Sequence, residues 1–388
     1  CPLFFVCTDA IDEHTPMLEQ INVVTLEQAV AAPLCTSRLA QAGAEVIKIE
    51  RPEGDFARYY DSAVAGESAY FVWLNAGKKS VVLDLRTDQG LNALNQLIER
   101  ADVLVQNLKP GALAKLGIDL GAVHERRKDF ISVSISGFSP DGPGHDRKAY
   151  DLLMQAESGL ADITGSPHAP GRVGVSIVDI ATGMFAYQAV LGSLIKRNNT
   201  GEGATIAVSL FDAVAEVLAV PYLLQRYGGN APQRVGLAHP SICPYGVFFS
   251  ADQQRFVLSV QNEREWQQLC RVGLQQPQLI DDSRCLNNES RVAHREFVDT
   301  TVQDVFSELS YRKISERLTA ADVAFAPLNA IAALADHADF HTETIQVHDQ
   351  SIELPRVPGL AYAANFSPQV PELGADTEAV LGSLASDA

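Results

Sequence analysis

A single carboxylate interrupts the small and apolar stretch GRVGVSIVDIATGMF, residues 171–185: Asp179, four residues ahead of Gly183. A buried, unpaired carboxylate is costly unless something holds it. Asp179 is therefore either a helix cap or a group placed for nucleophilic chemistry. It sits where GVSIV, which reads as a strand, gives way to a helix. A helix N-terminus offers free N–H groups and a partial positive charge, which keep a carboxylate ionised and can stabilise an oxyanion beside it. Cations stand near strand ends and turns: Arg51, Lys78 or Lys79, Arg86 and Lys115, with Lys148 just before AYD. On one sheet edge they would hold the phosphates of a large anionic ligand, and otherwise they are solvated surface charge. Asn107, in VQNLKPG, is either a ligand's hydrogen-bonding partner or a turn residue. Tyr70, in SAYFVWLN, is a core aromatic or a ligand contact. Tyr150 and Asp151, in KAYDLLMQAESG, stand at a helix start, where Asp is a good N-cap. His239, in LAHPSICPYG, is a loop histidine that lines a site or is solvated.

The elements that must position these residues alternate. INVVTL reads as a buried strand, AVAAPLCTSRLAQAG as a helix with Pro33 near its first turn and Gly43 at its end, and AEVIKIE as a second strand. KSVVLDL, DQGLNALNQLIERA, DVLVQN and FISVSISGF continue the alternation. The pattern predicts an α/β, Rossmann-like doubly wound sheet with right-handed crossovers. Ligands of such sheets sit beyond the carboxyl ends of the strands, here KIERP, VQNLKPG and SISGFS. AVAAP occupies the first turn where a dinucleotide fingerprint would stand, and no P-loop or G-x-S-x-G occurs. A long helix is predicted from Asp179 to about Arg197, then a strand and helix in ATIAVSLFDAVAEVLAV. Beyond about residue 240, SICPYGVFFSADQQRFVLSV reads as a hairpin and amphipathic helices follow, which predicts a smaller α+β domain. The Pro-rich tail is predicted to run over a surface and end in one short helix.

With 388 residues the chain exceeds one typical core. The expected organisation is an extension or cloning remnant over 1–16, a large domain over 17–225, a small domain over 226–335 and a return to the large domain over 336–388. The formal charge, 30 basic against 48 acidic residues or −18, argues against nucleic acid and anionic membrane as partners. The six cysteines are scattered, with no C-x-x-C and no histidine pair at zinc spacing, so no metal site or disulfide framework is expected and a cytoplasmic setting is. No apolar run is read as reaching the roughly 18 residues of a membrane span.

Six motifs in order, GAEVIKIERPEGD, LNAGKKSVVLDL, ADVLVQNLKPGALAKLG, SISGFSPDGPGHDRKAYDLLMQAESGL, DIATG and TGEGATIAVSLFDA, resemble the class III CoA-transferases from about Ile21 to Leu360. This CaiB/BaiF-type group includes formyl-CoA transferase, carnitine CoA-transferase and α-methylacyl-CoA racemase. The resemblance implies Asp179 as covalent nucleophile. It implies CoA contacts at Arg51, Leu83, Arg86, Asn107, Leu108, Lys115, Leu116 and Lys148, and also at Val30, which replaces a glutamine in the first strand–helix turn. It implies an acyl pocket at Tyr70, Tyr150 and Asp151, with His239 in GLAHPSICPYG standing where a glycine-rich loop covers the intermediate. It implies an interlocked, ring-like homodimer, with acyl-CoA as substrate and no tightly bound cofactor. The expected reaction moves CoA from a donor such as succinyl-CoA to a small dicarboxylic acid of the mesaconate, itaconate or citramalate kind. The rival readings are an acyl-CoA racemase, whose members carry histidine where this chain has Tyr150, and a non-catalytic CoA-binding protein.

Overall fold

The computed structural model describes residues 17–229 and 233–386; the extension expected over 1–16 lies outside them. The described chain divides into two compact units. The first holds the residues up to Ser158, Val173–Ala219 and the chain from His341 onward; the second holds Gly159–Arg172 and Val220–Phe340. The stretch 159–172, within the range expected for the large domain, thus lies with the second unit.

The first unit is built on β1 (Asn22–Leu26), β2 (Glu45–Glu50), β3 (Lys78–Val82), β4 (Val103–Gln106), β5 (Ile131–Ser136) and β6 (Ala204–Ser209). All pair in parallel, in the order β3-β2-β1-β4-β5-β6. This is the doubly wound arrangement, whose direction reverses between β1 and β4. The strands are β-branched and apolar because both sheet faces are covered. Val24, flanked by Ile47 and Leu104 in register, is 2% exposed.

The helices that matter for the site are α1 (Ala31–Gln41), α2 (Ala69–Asn75), α3 (Asp88–Arg100), α4 (Asp151–Glu157), α5 (Ile177–Thr200) and α6 (Leu210–Val217). GVSIV is not a strand: α5 begins at Ile177 behind Ser176, two residues earlier than expected, so Asp179 is its third residue. α5 packs along α1. The small side of that contact is Gly183: a Cβ there would lie 2.6 Å from the Ala31 carbonyl oxygen and 2.9 Å from Leu34 Cβ. By length and composition α5 is long and apolar enough to cross a membrane, contrary to the reading that no segment is, and only a third of its apolar stretch is buried within the chain.

After β6 the chain runs through the second unit. There Tyr245–Phe249, Arg255–Ser259 and Ala324–Pro327 form an antiparallel sheet, with the expected hairpin between the first two. Its core joins Phe248, Phe256 and Leu258 to Trp266, Val302, Phe306 and Leu318 of the helical segments. From His341 the chain is again in the first unit: an antiparallel hairpin, Thr342–Val347 with Gln350–Pro355, then extended chain and a last helix, Thr377–Ser386. Asp376 accepts the Ser80 N–H at 2.8 Å and Thr377 Oγ1 accepts that of Val82 at 3.0 Å, which binds this tail along β3.

Candidate active site

At the carboxyl ends of β1, β2 and β3 lies a cleft of about 330 Å³, lined by Leu26–Gln28, Ile49–Glu53, Leu83–Arg86 and Leu108. It adjoins the reversal point between β1 and β4, where this topology leaves a crevice. Four of the expected CoA contacts, Arg51, Leu83, Arg86 and Leu108, come together here. Arg51 Nε donates to the Gly54 carbonyl at 2.9 Å, and the exposed Arg86 pairs with Asp84 at 2.8 Å. Lys115 and Lys148 are exposed. Leu116 packs with Leu108 against the core beneath.

Asn107 has a structural task. Its Oδ1 accepts the Gln28 N–H at 2.9 Å and its Nδ2 donates to the Gln28 carbonyl at 2.8 Å, clamping the turn between β1 and α1 from β4. Val30 is 3% exposed and packs with Leu34 and Leu74, with Ile180 of α5 against them. It is a wall behind the site and presents little surface to a ligand.

Lys78 and Lys79 do not reach the ligand edge, because they begin β3 rather than end it. Lys79 pairs with Glu45, which begins β2, at 2.7 Å. Lys78 is buried on Glu27 at 2.6 Å and donates to the Pro33 carbonyl at 3.0 Å. Burial pulls its pKa down to about 8 even though Glu27 opposes the change. Burial alone would raise the Glu27 carboxyl, but Lys78 and Lys48 outweigh it and hold it below the ordinary value. Lys48 bonds Asp55 at 2.8 Å and Asn75 at 3.0 Å. Beside it Glu50 bonds Arg58 through both oxygens, at 2.7 and 2.9 Å. Burial would raise Glu50 too, yet Arg58 and Lys48 bring it to about 2. This hydrogen-bonded ion network explains why charged residues stand buried within β2 and at the ends of its neighbours, and losing one partner of such a pair typically costs about 3–5 kcal/mol.

The nucleophile candidate is set differently. Asp179 makes no cap, and no hydrogen bond from the described residues reaches its carboxylate. Burial first, then the charge of Asp151, push its pKa up to about 7. Asp151 is not the N-cap of α4 but its first residue. Its Oδ1 accepts the N–H of Val178 at 2.8 Å and of Asp179 at 3.4 Å, and its Oδ2 accepts Gln155 Nε2 at 2.7 Å. One carboxylate therefore caps α5 from a neighbouring helix while the other is left without a donor.

That cap removes the oxyanion donors expected at the start of α5. The Ile177 N–H is also taken, by the Val175 carbonyl at 2.8 Å. Free amides stand instead at the start of α1: among the described residues nothing accepts from the N–H of Val30, Ala31 or Ala32, and no side chain caps that helix.

An aromatic group stands near the carboxylate. Tyr60, which sequence reasoning missed, meets Tyr70 edge-on at a centroid distance of 5.5 Å and Phe56 at 5.7 Å. Burial, then the charges of Asp55 and Asp179 and the phenols of Tyr150 and Tyr70, push its hydroxyl up to about 12. Tyr70 is half-buried and Tyr150 exposed. Asp61 accepts the N–H of Ala63 at 2.9 Å and of Ala69 at 3.0 Å, which fixes the start of the helix bearing Tyr70. Nothing in GDFARYYD distinguishes Tyr60 from Tyr59; only the three-dimensional turn does.

His239 belongs to the second unit. It stacks on Tyr245 at 5.3 Å, accepts the Ser241 N–H on Nδ1 at 3.1 Å, and burial and Arg295 lower its pKa. The described cysteines, Cys35, Cys243, Cys270 and Cys285, are buried free thiols.

The chain is similar to proteins of one family. The family model for CoA-transferase family III matches residues 18–377. The chain is 33% identical to the succinate–glutarate CoA-transferase of Agrobacterium fabrum, over 89% of this chain and 88% of that one. It is 33% identical to the succinyl-CoA:mesaconate CoA-transferase of Haloarcula hispanica, over 79% of this chain and 80% of that one. The crystal structure of a CaiB/BaiF family protein from Brucella suis superimposes with a TM-score of 0.80 at 30% identity, covering 96% of this chain and all of that one.

Proposed function

Because the chain belongs to CoA-transferase family III, we propose that it moves CoA from an acyl-CoA donor to a small dicarboxylic acid through a covalent intermediate on Asp179. The observation that carries this reading is a carboxylate in the first turn of α5 that has no hydrogen-bond donor among the described residues and a pKa pushed up to about 7. Such a group is costly to the fold, and its reactivity repays that cost.

An Asp179 oxygen attacks the thioester carbonyl, and the tetrahedral adduct expels CoA thiolate to leave a mixed anhydride. The thiolate then attacks the aspartyl carbonyl of that anhydride, which releases the donor's acid and leaves an aspartyl-CoA thioester. The incoming carboxylate attacks this thioester, re-forms an anhydride and frees the thiolate. Thiolate attack on the new acyl carbonyl yields the product thioester and restores Asp179. The free N–H groups of Val30, Ala31 and Ala32 serve the developing oxyanions, since those of Val178 and Asp179 are held by Asp151. The apolar wall of Val30, Leu34, Leu74 and Ile180 limits the approach of water to the anhydride.

The cleft at the ends of β1–β3 takes the CoA, with Arg51 and Arg86 toward its phosphates and Leu83 and Leu108 along its apolar parts. The Asn107 side chain supports the turn rather than the ligand, and the Val30 side chain packs into the apolar wall. Relatives named for succinyl-CoA with mesaconate, and for succinate with glutarate, favour succinyl-CoA as donor and an acceptor of four or five carbons. The exposed apolar side chains Met184 and Ile195 of α5, with Val217 of α6, favour a homodimer that covers this face.

The direct test is to incubate the enzyme with succinyl-CoA alone, quench with hydroxylamine and map the peptides by mass. A hydroxamate on Asp179 is expected. An enzyme that exchanges CoA between acids while this peptide stays unmodified under single-turnover conditions refutes the covalent route.

A further inference from the structure

We propose that Asp55 is a positioning residue for the transfer reaction, one buried carboxylate that fixes both the left-handed turn at Ala29 and the short helix leading to Tyr60. The proposal rests on the assignment of Asp179 above.

Asp55 is 2% exposed and comes two residues after Glu53, at the edge of the cleft. Its Oδ1 accepts two backbone N–H groups, that of Ala29 at 3.2 Å and that of Ala57 at 2.9 Å. Its Oδ2 accepts Lys48 Nζ at 2.8 Å, and its own N–H donates to Glu50 at 3.0 Å. The ion network thus locks the carboxylate, and the carboxylate locks two loops.

The first loop is strained. Ala29 has φ of +63°, a region that a residue with a Cβ enters only when its surroundings hold it there. Ala29 is followed at once by the free amides of Val30–Ala32 and by the Val30 side chain, which packs with Ile180, the neighbour of Asp179. Relaxation of Ala29 would re-aim those amides and shift the Val30 side chain that packs with Ile180. The second loop is the 3-10 helix Phe56–Tyr59, which Asp55 caps through Ala57 and which delivers Tyr60. Tyr60 senses the charges of both Asp55 and Asp179. A shift of one ångström in such groups can cost about a hundredfold in rate.

A merely stabilising role would lower the unfolding midpoint without a selective effect on turnover. The assay is exchange of labelled succinate into succinyl-CoA, read as kcat and as KM for succinyl-CoA. Asp55→Asn has one oxygen where the carboxylate has two: the Lys48 ammonium takes it, and the amide NH2 then faces the N–H groups of Ala29 and Ala57. In this variant kcat is therefore expected to fall about ten- to a hundredfold while KM changes by less than about threefold, because the CoA cleft keeps its own anchors. In Asp55→Asn with Ala29→Gly, part of the lost kcat returns, since glycine enters the left-handed region without a tether. If Asp55→Asn does not fold, Ala29→Val leaves every charge in place and must itself lower kcat about tenfold, because a β-branched residue resists positive φ. Unchanged kcat in Asp55→Asn, a loss that Ala29→Gly does not reduce, or unchanged kcat in Ala29→Val overturns the proposal. Asp179→Asn, run alongside, separates this from the parent reading: if that variant still exchanges CoA, the assignment of the nucleophile fails, whatever Asp55→Asn does.

Discussion

Replacing Asp179 with asparagine should destroy exchange and strengthen the fold, and the second effect has a calculable pH dependence. The carboxyl titrates near 7 in the folded chain against an ordinary value of 3.8. Each unit of difference is worth about 1.4 kcal/mol, so the ionised group withholds at most about 4 kcal/mol from stability, and about half of that once partial solvation is allowed for. The sign follows from proton binding. Between the two values the folded chain keeps a proton that the unfolded chain has released, so native stability falls as pH rises through this window and levels off above about 7. The Asp179→Asn variant, whose amide does not titrate, has no such loss. Urea unfolding of both proteins at pH 5, 7 and 8.5 should therefore give the variant a lead that grows from pH 5 to 7 and then stays constant at about 2–4 kcal/mol. A lead that is independent of pH, or that shrinks as pH rises, would refute the claim that ionisation of this carboxylate opposes folding.

The same titration predicts that kcat/KM rises with pH through about 7, because only the ionised Asp179 attacks; a flat profile from pH 5.5 to 8 would contradict it. In Asp151→Asn the Oδ1 acceptor for Val178 remains but the charge beside Asp179 is gone, so that acid limb should move to lower pH; because burial is the larger cause, it should remain above 3.8. Gly183→Ala places a methyl 2.6 Å from the Ala31 oxygen, and forcing α5 off α1 should cost about 1–3 kcal/mol and lower kcat while leaving CoA affinity by calorimetry nearly unchanged. Lys78→Met takes the nearer of the two cations from buried Glu27 and leaves Lys48, at 3.5 Å, as its counter-charge; this should cost about 3 kcal/mol by urea unfolding, with little of that recovered by salt.

The sheet is legible in the sequence because its signal is local. VVTL, EVIKIE, VLVQ and ISVSIS carry the composition of strands buried on both faces, and the intervening periodicity marks the helices. The cleft is legible for a related reason: Arg51, Leu83, Arg86 and Leu108 follow strand ends, and the topology gathers strand ends on one edge. Lys78 and Lys79 mislead because a charge pair at the start of a strand looks in sequence like one at a turn, and only register shows which edge it occupies. The start of α5 is displaced by two residues from its expected place because Val175, Ile177 and Val178 have β-branched or extended preferences, while the cap that overrides them comes from Asp151, well outside any local window.

That last case shows how the site and the fold are coupled. A local cap on α5 would have been Ser176 or Asp179, and the chain uses neither. Borrowing Asp151 satisfies the helix start without engaging the Asp179 side chain, and it adds a like charge that makes ionisation of Asp179 harder. A carboxylate that capped its own helix would be stabilised by two or three N–H donors and would be a poorer nucleophile, because part of its charge would be committed to the backbone. The same exchange happens at α1. There the side-chain acceptors Asp55 and Asn107 hold Ala29 and Gln28, one step before the helix, and the amides of Val30–Ala32 are left open. A carboxylate on one helix and amides on its packed neighbour, each without a hydrogen-bond partner among the described residues, are each destabilising alone. The two helices pack on one another where Gly183 admits the Ala31 carbonyl, and under the mechanism proposed above a tetrahedral intermediate on Asp179 would answer both.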